Sequence, residues 1–105
     1  MTGFVLHPEA YTDIEDIWEF IAEDSLDAAD RVRELIYEAI GKLISFPHQG
    51  HRRPDLTLRP IRFITVRHYL IAYAPDESPL LVIAVIHGRR NPRVMAAILR
   101  GREQD

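Results

Sequence analysis

The spacing of hydrophobic residues changes near Gly50, in the middle of this chain, and that change limits the folds open to it. Before Gly50, apolar residues recur every three or four positions, which is typical of helices that bury one face. After Gly50, short runs rich in Ile, Val, Phe and Tyr are separated by turn residues, which is typical of β-strands. The sequence therefore predicts an α+β fold in which helices precede most of the sheet.

The first part of the chain predicts an N-terminal strand and an antiparallel helical hairpin. Residues 4–6 are a short apolar run, and Pro8 suits the first turn of a helix because proline has no N–H to leave unbonded. Ser25 is a good N-cap for a second helix, which Pro47 and Gly50 should end. The apolar stripes expected to face the core are Ala10, Ile14, Ile17, Trp18 and Ile21, then Ala28, Val32, Leu35, Ile36, Ala39, Leu43 and Phe46.

The second part predicts a three-stranded antiparallel meander, with strands at residues 61–66, 69–74 and 80–87. The last run is apolar at nearly every position, which suits a central strand covered on both faces. Residues 51–60 are rich in arginine and proline, and we expect them to form a loop.

A short C-terminal helix should follow, capped by Asn91 and beginning at Pro92. We expect Val94, Ala97 and Ile98 to face inward and Gly101 to lie beyond the helix end. The 105 residues suit a single domain, residues 1–105, with the helical hairpin on one face of the sheet. The opposite face is then expected to be open and to carry the function.

The net charge of −3 hides a strong asymmetry between the two halves of the chain. Residues 1–46 hold three basic and eleven acidic residues, including Asp13 on the polar side of the first helix. Residues 47–105 hold ten basic and five acidic residues, and every basic residue there is arginine. The guanidinium group offers a planar fork of donors that suits phosphates and carboxylates, so the second half indicates an anionic partner.

Several arginines and one histidine flank the predicted strands at residues 61–66 and 80–87. If these strands pair, the side chains should converge at one end of the sheet and hold a phosphate or a row of carboxylates. A histidine there could act as acid or base, because imidazole titrates near neutral pH. Tyr73 could stack on a base, although packing within the sheet is the commoner role of a strand tyrosine. The predicted partner-binding residues are Arg59, Arg62, Arg67, Tyr73, His87, Arg89, Arg90 and Arg93.

Other kinds of site find little support in the sequence. The chain has no cysteine, which excludes thiolate metal ligands and a cysteine nucleophile. His48 and His51 are three residues apart, but they lie in a proline- and glycine-containing loop without a third ligand nearby, so we expect no metal and no cofactor. No apolar run is long enough to span a bilayer and no targeting segment is evident, so we expect a cytoplasmic protein.

An ordered set of motifs along most of the chain resembles the RelE/ParE toxin superfamily. The closing segment His87-Gly88-Arg89-Arg90, followed by Asn91-Pro92, is most similar to the ParE branch. His7 stands where the family usually has a capping serine before the proline. The other matching residues are Leu6 to Ala10, Asp13, Ile14, Ile17, Phe20, Ile21, Leu43, Pro47, Gly50, Arg62, Tyr69, Ile71, Tyr73, Ile83 and Val85.

The resemblance implies the toxin of a bacterial type II toxin-antitoxin system, of the kind that serves plasmid stabilisation. ParE-like proteins are expected to inhibit DNA gyrase by protein–protein binding, with no catalytic residues of their own. The resemblance also implies a cognate antitoxin, a ParD-like or related small acidic protein whose C-terminal segment wraps the toxin.

Two alternatives stay open at this point. The first is a RelE-like, ribosome-dependent mRNA endoribonuclease, in which Arg62, Arg67, His87 and Arg89 would stabilise the scissile phosphate and move a proton. The second is a nucleic-acid-binding module without toxicity, whose binding should weaken steeply as the salt concentration rises.

Overall fold

The structure, a computed structural model, describes residues 3–102 of the 105 and confirms the α+β fold. The prediction of one domain spanning residues 1–105 remains a prediction. The elements follow in the order β1 (Phe4–Leu6), α1 (Pro8–Ala22), α2 (Leu26–Ser45), β2 (His51–Arg52), β3 (Arg62–Val66), β4 (Tyr69–Ala74), β5 (Leu80–His87) and α3 (Pro92–Gly101).

Each helix begins where the sequence provides a capping side chain. Ser25 Oγ accepts a hydrogen bond from the Ala28 N–H at 3.1 Å, and Asn91 Oδ1 accepts one from the Arg93 N–H at 2.8 Å. His7 caps α1 in the same way, because its Nδ1 accepts from the Glu9 N–H at 3.0 Å. The imidazole therefore acts as the N-cap of α1.

The five strands form one sheet in the order β1-β5-β4-β3-β2. β1 lies parallel to β5, and all other neighbours are antiparallel, so the predicted meander of β3, β4 and β5 is the centre of the sheet. The prediction of a loop throughout residues 51–60 is wrong at its start, where β2 pairs with β3. Two exposed residues on an edge carry no apolar alternation, so no local pattern marks this strand.

The helical hairpin covers one face of the sheet. Ile14 of α1 and Ile36 of α2 are fully buried against strand residues that include Ile71 and Val82. Tyr73 also lies in this core with no exposed surface, and its hydroxyl oxygen accepts a hydrogen bond from the Gly50 N–H at 2.9 Å. This contact fastens the segment after α2 to the centre of the sheet.

The opposite face is not open, contrary to the expectation. A second core of strand residues lies there, and the segment between β2 and β3 and helix α3 cover it with Leu56, Met95 and Leu99. Val94 is 42% exposed and Ala97 is exposed, so only Ile98 of the three predicted inward residues is partly buried. Two apolar stripes fit the same helical spacing, and the sequence could not tell which would face the sheet.

An ion pair fastens the end of α3 to α1 and β5. Arg102 follows α3, and its guanidinium donates to both carboxylate oxygens of Asp13, at 2.6 and 3.0 Å, and to the Ile83 carbonyl at 3.1 Å. The same Asp13 carboxylate accepts from the Val85 N–H at 3.0 Å. Ile83 has no cross-strand partner, because the register of β4 and β5 shifts there, so the pair stabilises an irregular part of the sheet.

Candidate partner-binding surface

Two chain segments lie side by side at one end of the sheet. They are the turn between β3 and β4 and the connection from β5 to α3, which Tyr69 and His87 place opposite each other. The Gly88 N–H donates to the His68 carbonyl at 2.7 Å, and the two imidazole rings of His68 and His87 stack with centroids 6.1 Å apart. We name this surface the basic tip and define it as Arg67, His68, His87, Arg89, Arg90 and Arg93.

The backbone of the basic tip is well fixed by local geometry. Val66 pairs with Tyr69, so only Arg67 and His68 form the turn between β3 and β4. Arg67 has a φ of 56°, in the left-handed region that glycine normally occupies in such turns. His87 Nδ1 accepts from the Arg89 N–H at 3.1 Å, which leaves Nε2 to carry the proton of the neutral ring.

The four arginines of the basic tip are exposed and lack acidic partners. Within residues 3–102, no carboxylate lies at ion-pair distance from the guanidinium groups of Arg67, Arg89, Arg90 or Arg93. Positive charge also gathers at the N-terminus of α3, whose first turn holds no acidic residue. Because the helix dipole is positive at that end, the arrangement opposes folding, and a bound anion would offset the cost.

Arginines elsewhere in the molecule are paired differently. Arg53 forms a two-pronged contact with Asp55, at 3.0 and 2.8 Å, and this hydrogen bonding holds the pKa of the Asp55 carboxyl below its usual value. Arg33 contacts Glu15 at 3.0 Å and lies over the Trp18 ring, 5.0 Å from its centroid. Arg31, Arg52 and Arg100 are exposed and, within residues 3–102, also have no carboxylate at ion-pair distance, but they lie singly on α2, β2 and α3. The basic tip differs because it gathers four such arginines at one end of the sheet.

A cleft of about 690 Å³ opens beside the basic tip, between α1, the ends of β4 and β5, and α3. Phe20 and Asp16 line it from α1, Ile98 lines it from α3, and His87 and Arg90 form its border with the tip. Phe20 is 72% exposed, which is unusual for so large an apolar side chain. The cleft thus offers apolar surface flanked by charges of both signs.

The predicted site residues do not all meet. Arg67, His87, Arg89 and Arg90 come together with Arg93 nearby, but Arg62 begins β3 opposite Tyr73 and donates to the Gly50 carbonyl at 2.8 Å. Four residues of strand separate Arg62 from the tip end of β3, which is about 13 Å.

Two other expected site residues also lie away from the tip. Arg59 donates to the Leu99 carbonyl at 3.5 Å beside α3, and Tyr73 is buried under the hairpin. The expectation that Arg59 and Arg62 converge with the tip residues was therefore wrong, whereas the buried Tyr73 has the packing role expected of a strand tyrosine. Arg62 lies away from the tip because it is at the first position of β3, and the two ends of one strand lie at opposite ends of the sheet.

Residues outside the predicted set also enter the geometry. His68 belongs to the basic tip, and the short gap between the strand patterns at 61–66 and 69–74 could have indicated it as a turn neighbour of Arg67. His48 Nε2 lies 3.1 Å from Asp76 Oδ1, whereas His51 is in β2. The described part of the chain contains no group of three His, Asp or Glu side chains placed to hold a metal. None of the helices found in residues 3–102 has the length and apolar character that a membrane span requires.

Comparison with known proteins identifies the family. Residues 4–92 match the family model described as the ParE toxin of type II toxin-antitoxin system, parDE. Similar curated proteins include two named toxin ParE2, from Mycobacterium tuberculosis strains CDC 1551 / Oshkosh and ATCC 25618 / H37Rv. Each is 27% identical over 106 aligned residues, which cover 92% of this chain and 91% of the relative. Since the matched segment runs from β1 to the start of α3, the chain belongs to the ParE toxin family of type II toxin-antitoxin systems.

Proposed function

We propose that this ParE-family toxin inhibits DNA gyrase by binding, with the basic tip as its main contact surface. The observation that carries the proposal is the group of exposed guanidinium groups at the tip, which have no carboxylate of residues 3–102 at ion-pair distance. Three separate segments, at residues 67–68, 87–90 and the first turn of α3, supply these charges to one end of the sheet. Preserving unpaired positive charge at a cost in stability is typical of a surface that meets an anionic partner.

A nuclease function has less support, because its four expected residues are not at one place. Arg62 lies about 13 Å along β3 from the tip, too far to share a scissile phosphate with the others. His87 Nδ1 is already engaged with the Arg89 N–H, and Tyr69 packs edge-on against the same ring at 5.4 Å. The imidazole therefore helps to shape the turn, which suits a binding surface.

We further propose that an acidic antitoxin segment neutralises the toxin by covering the cleft beside the tip. Phe20 and Ile98 would be buried by an apolar side of that segment, while Arg90 and His87 would face its carboxylates. An antitoxin bound in this way would also screen the basic tip from its target. Within the type II systems to which the family belongs, the toxin is one half of such a pair.

Inhibition of supercoiling by purified gyrase tests the target. We expect the wild-type chain to inhibit, and Arg89→Gln with Arg90→Gln to raise the half-inhibitory concentration at least tenfold, because two exposed charges leave the tip. Arg31→Gln with Arg52→Gln is the matched control, since it removes two exposed charges elsewhere and should leave inhibition unchanged.

Transcript cleavage after induction in bacteria is the second measurement. We expect uncut messages, with and without His87→Ala. A folded wild-type protein that leaves supercoiling untouched, or message cleavage that disappears with His87→Ala or Arg62→Ala, would refute the gyrase proposal.

Co-expression with the product of the adjacent reading frame tests neutralisation. Ligand at 100 times its dissociation constant adds about 2.7 kcal/mol to the free energy of unfolding, which is about 10 °C or more in melting temperature for a chain of this size. Phe20→Ser should reduce that gain while leaving the melting temperature of the free toxin within a few degrees, because the Phe20 ring is 72% exposed. Equal melting temperatures for the toxin alone and with its neighbour would contradict the proposal.

A further inference from the structure

We infer that the basic tip binds the phosphate backbone of duplex DNA directly, so that the toxin contacts the DNA held by gyrase as well as the enzyme. Contact with DNA held by gyrase rests on the proposed function, because gyrase is the enzyme that holds this DNA. The binding itself depends only on the tip and can be measured without gyrase.

The number and exposure of the charges are the first support. Every residue of the tip is exposed, and its four arginines carry no ion pair to any carboxylate of the described residues. Duplex DNA carries one negative charge per about 1.7 Å of its axis, so a small surface with four free guanidinium groups can reach several phosphates. The acidic residues 1–46 on the rest of the molecule would orient the tip toward the duplex.

The geometry of the tip is the second support. The bond from the Gly88 N–H to the His68 carbonyl and the stacked rings of His68 and His87 hold the two segments together before any partner arrives. Arg67 remains at a left-handed position although a non-glycine residue there costs about 1–2 kcal/mol. The turn therefore places an exposed arginine at its apex despite that cost.

The surface chemistry favours DNA over an acidic peptide as the partner of the tip itself. Peptide recognition normally adds the burial of apolar side chains in pockets, and such surface lies in the neighbouring cleft around Phe20 and Ile98. On the tip, the exposed stretch from His87 to Arg93 contains Pro92 as its only large apolar residue. Contacts made by arginine alone, without base-reading side chains on a helix in a groove, predict binding that does not depend on DNA sequence.

Fluorescence anisotropy with a labelled 30-base-pair duplex of mixed sequence, without gyrase, tests the inference. Each neutralised phosphate contributes about 0.9 to the slope of log affinity against log salt concentration, so four arginines predict a slope of about −3.6. Arg89→Gln with Arg90→Gln should reduce the slope by about 1.8 and lower the affinity about 60-fold at 0.1 M salt. Arg31→Gln with Arg52→Gln has the same net charge and should bind like the wild type. Circular dichroism melts check that all variants are folded.

The outcomes separate this inference from the proposed function. Wild-type protein that fails to bind the duplex, or a control pair that weakens binding as much as the tip pair, would overturn the inference. A tip pair that keeps its DNA affinity but loses binding to polyglutamate would overturn it in favour of an acidic peptide. Tip-dependent DNA binding without gyrase inhibition would support the inference and refute the gyrase proposal, and inhibition without DNA binding would do the reverse.

Discussion

Replacing Asp13 with alanine should destabilise the protein by about 3 kcal/mol. The carboxylate contacts Arg102 at 2.6 and 3.0 Å and accepts from the Val85 N–H at 3.0 Å. The Asp13 side chain is 19% exposed and that of Arg102 only 10%, so water screens the pair poorly. Alanine removes one partner and leaves a largely buried positive charge beside a sheet N–H without an acceptor.

The magnitude follows from those contacts. Removing one partner of a buried ion pair costs about 3–5 kcal/mol, and an unsatisfied backbone N–H costs about 1–3 kcal/mol. Arg102 keeps two favourable contacts, with Glu9 at 3.6 Å and with the Ile83 carbonyl at 3.1 Å, and these reduce the loss. Asp13→Asn retains one oxygen for the Val85 N–H but loses the charge and replaces the other acceptor of Arg102 with an NH2 donor, so its cost should be smaller than that of alanine without vanishing.

Urea unfolding followed by far-ultraviolet circular dichroism measures these differences. With a slope of about 1–2 kcal/mol per molar urea, a loss of 3 kcal/mol lowers the midpoint by about 2 M. Glu15→Gln is the matched control, because the Glu15–Arg33 pair has a similar 3.0 Å contact but side chains 30% and 35% exposed. Both side chains of this pair are partly exposed, so water screens them more than it screens Asp13 and Arg102, and the control should cost about 1 kcal/mol or less and shift the midpoint little.

A double-mutant cycle decides whether the pair itself is responsible. Asp13→Asn and Arg102→Met should show a coupling energy of about 1–2 kcal/mol, since the two side chains are in direct contact. A coupling near zero, or an Asp13→Ala midpoint equal to that of Glu15→Gln, would refute the idea that this pair holds α3 against α1 and β5.

Three further predictions concern the backbone and the core. Gly41→Ala in α2 should stabilise the protein by about 0.5–1 kcal/mol, because the added Cβ would meet nothing within 4 Å. Gly50→Ala should destabilise it by more than about 1 kcal/mol, because the added Cβ would lie 2.6 Å from Tyr73 Oη. Thermal melts compare the two variants. Burial raises the pKa of the Tyr73 hydroxyl, so the free energy of unfolding should fall as the pH rises above about 10.0, the pKa of tyrosine in the unfolded chain. Tyr73→Phe should flatten that fall and should cost about 1–2 kcal/mol, because the hydrogen bond from the Gly50 N–H is lost. Urea titrations at pH 9 to 11 measure both effects. Arg67→Gly should stabilise the turn by about 0.5–1 kcal/mol, because relief of the left-handed strain exceeds the added chain entropy, and should weaken DNA affinity in the anisotropy assay.

The main elements of the fold could be predicted because their signals are local. Ser25 and Asn91 mark helix starts by the chemistry of their side chains, and the apolar runs of β4 and β5 match the observed bounds. β2 escaped prediction because a two-residue edge strand exists only through its pairing with β3. The closed second face of the sheet was also not predicted, because no local sequence pattern shows that the segment containing Leu56 folds back over it.

The sequence could predict which of the expected residues lie together where the order of the strands determines their position. Arg67 ends one strand pattern and His87 ends another, so antiparallel pairing brings them to one end of the sheet. Arg62 begins its strand, so the same pairing places it at the opposite end of the sheet. Asp13 and Arg102 were beyond reach, because Asp13 sits among several acids on α1 and its partner is 89 residues away in sequence.

The parallel pairing of β1 with β5 sets the order in which this protein can be assembled during translation. Phe4 is opposite Leu80, so β1 cannot pair with β5 until synthesis has reached residue 80. At 5–20 residues per second, the ribosome needs about 4–15 s to make the residues between them. During that interval the helical hairpin has no completed sheet to pack against, and a nascent chain stopped before residue 80 lacks both β5 and the arginines that follow it. The basic tip therefore cannot form until residue 93 has been made.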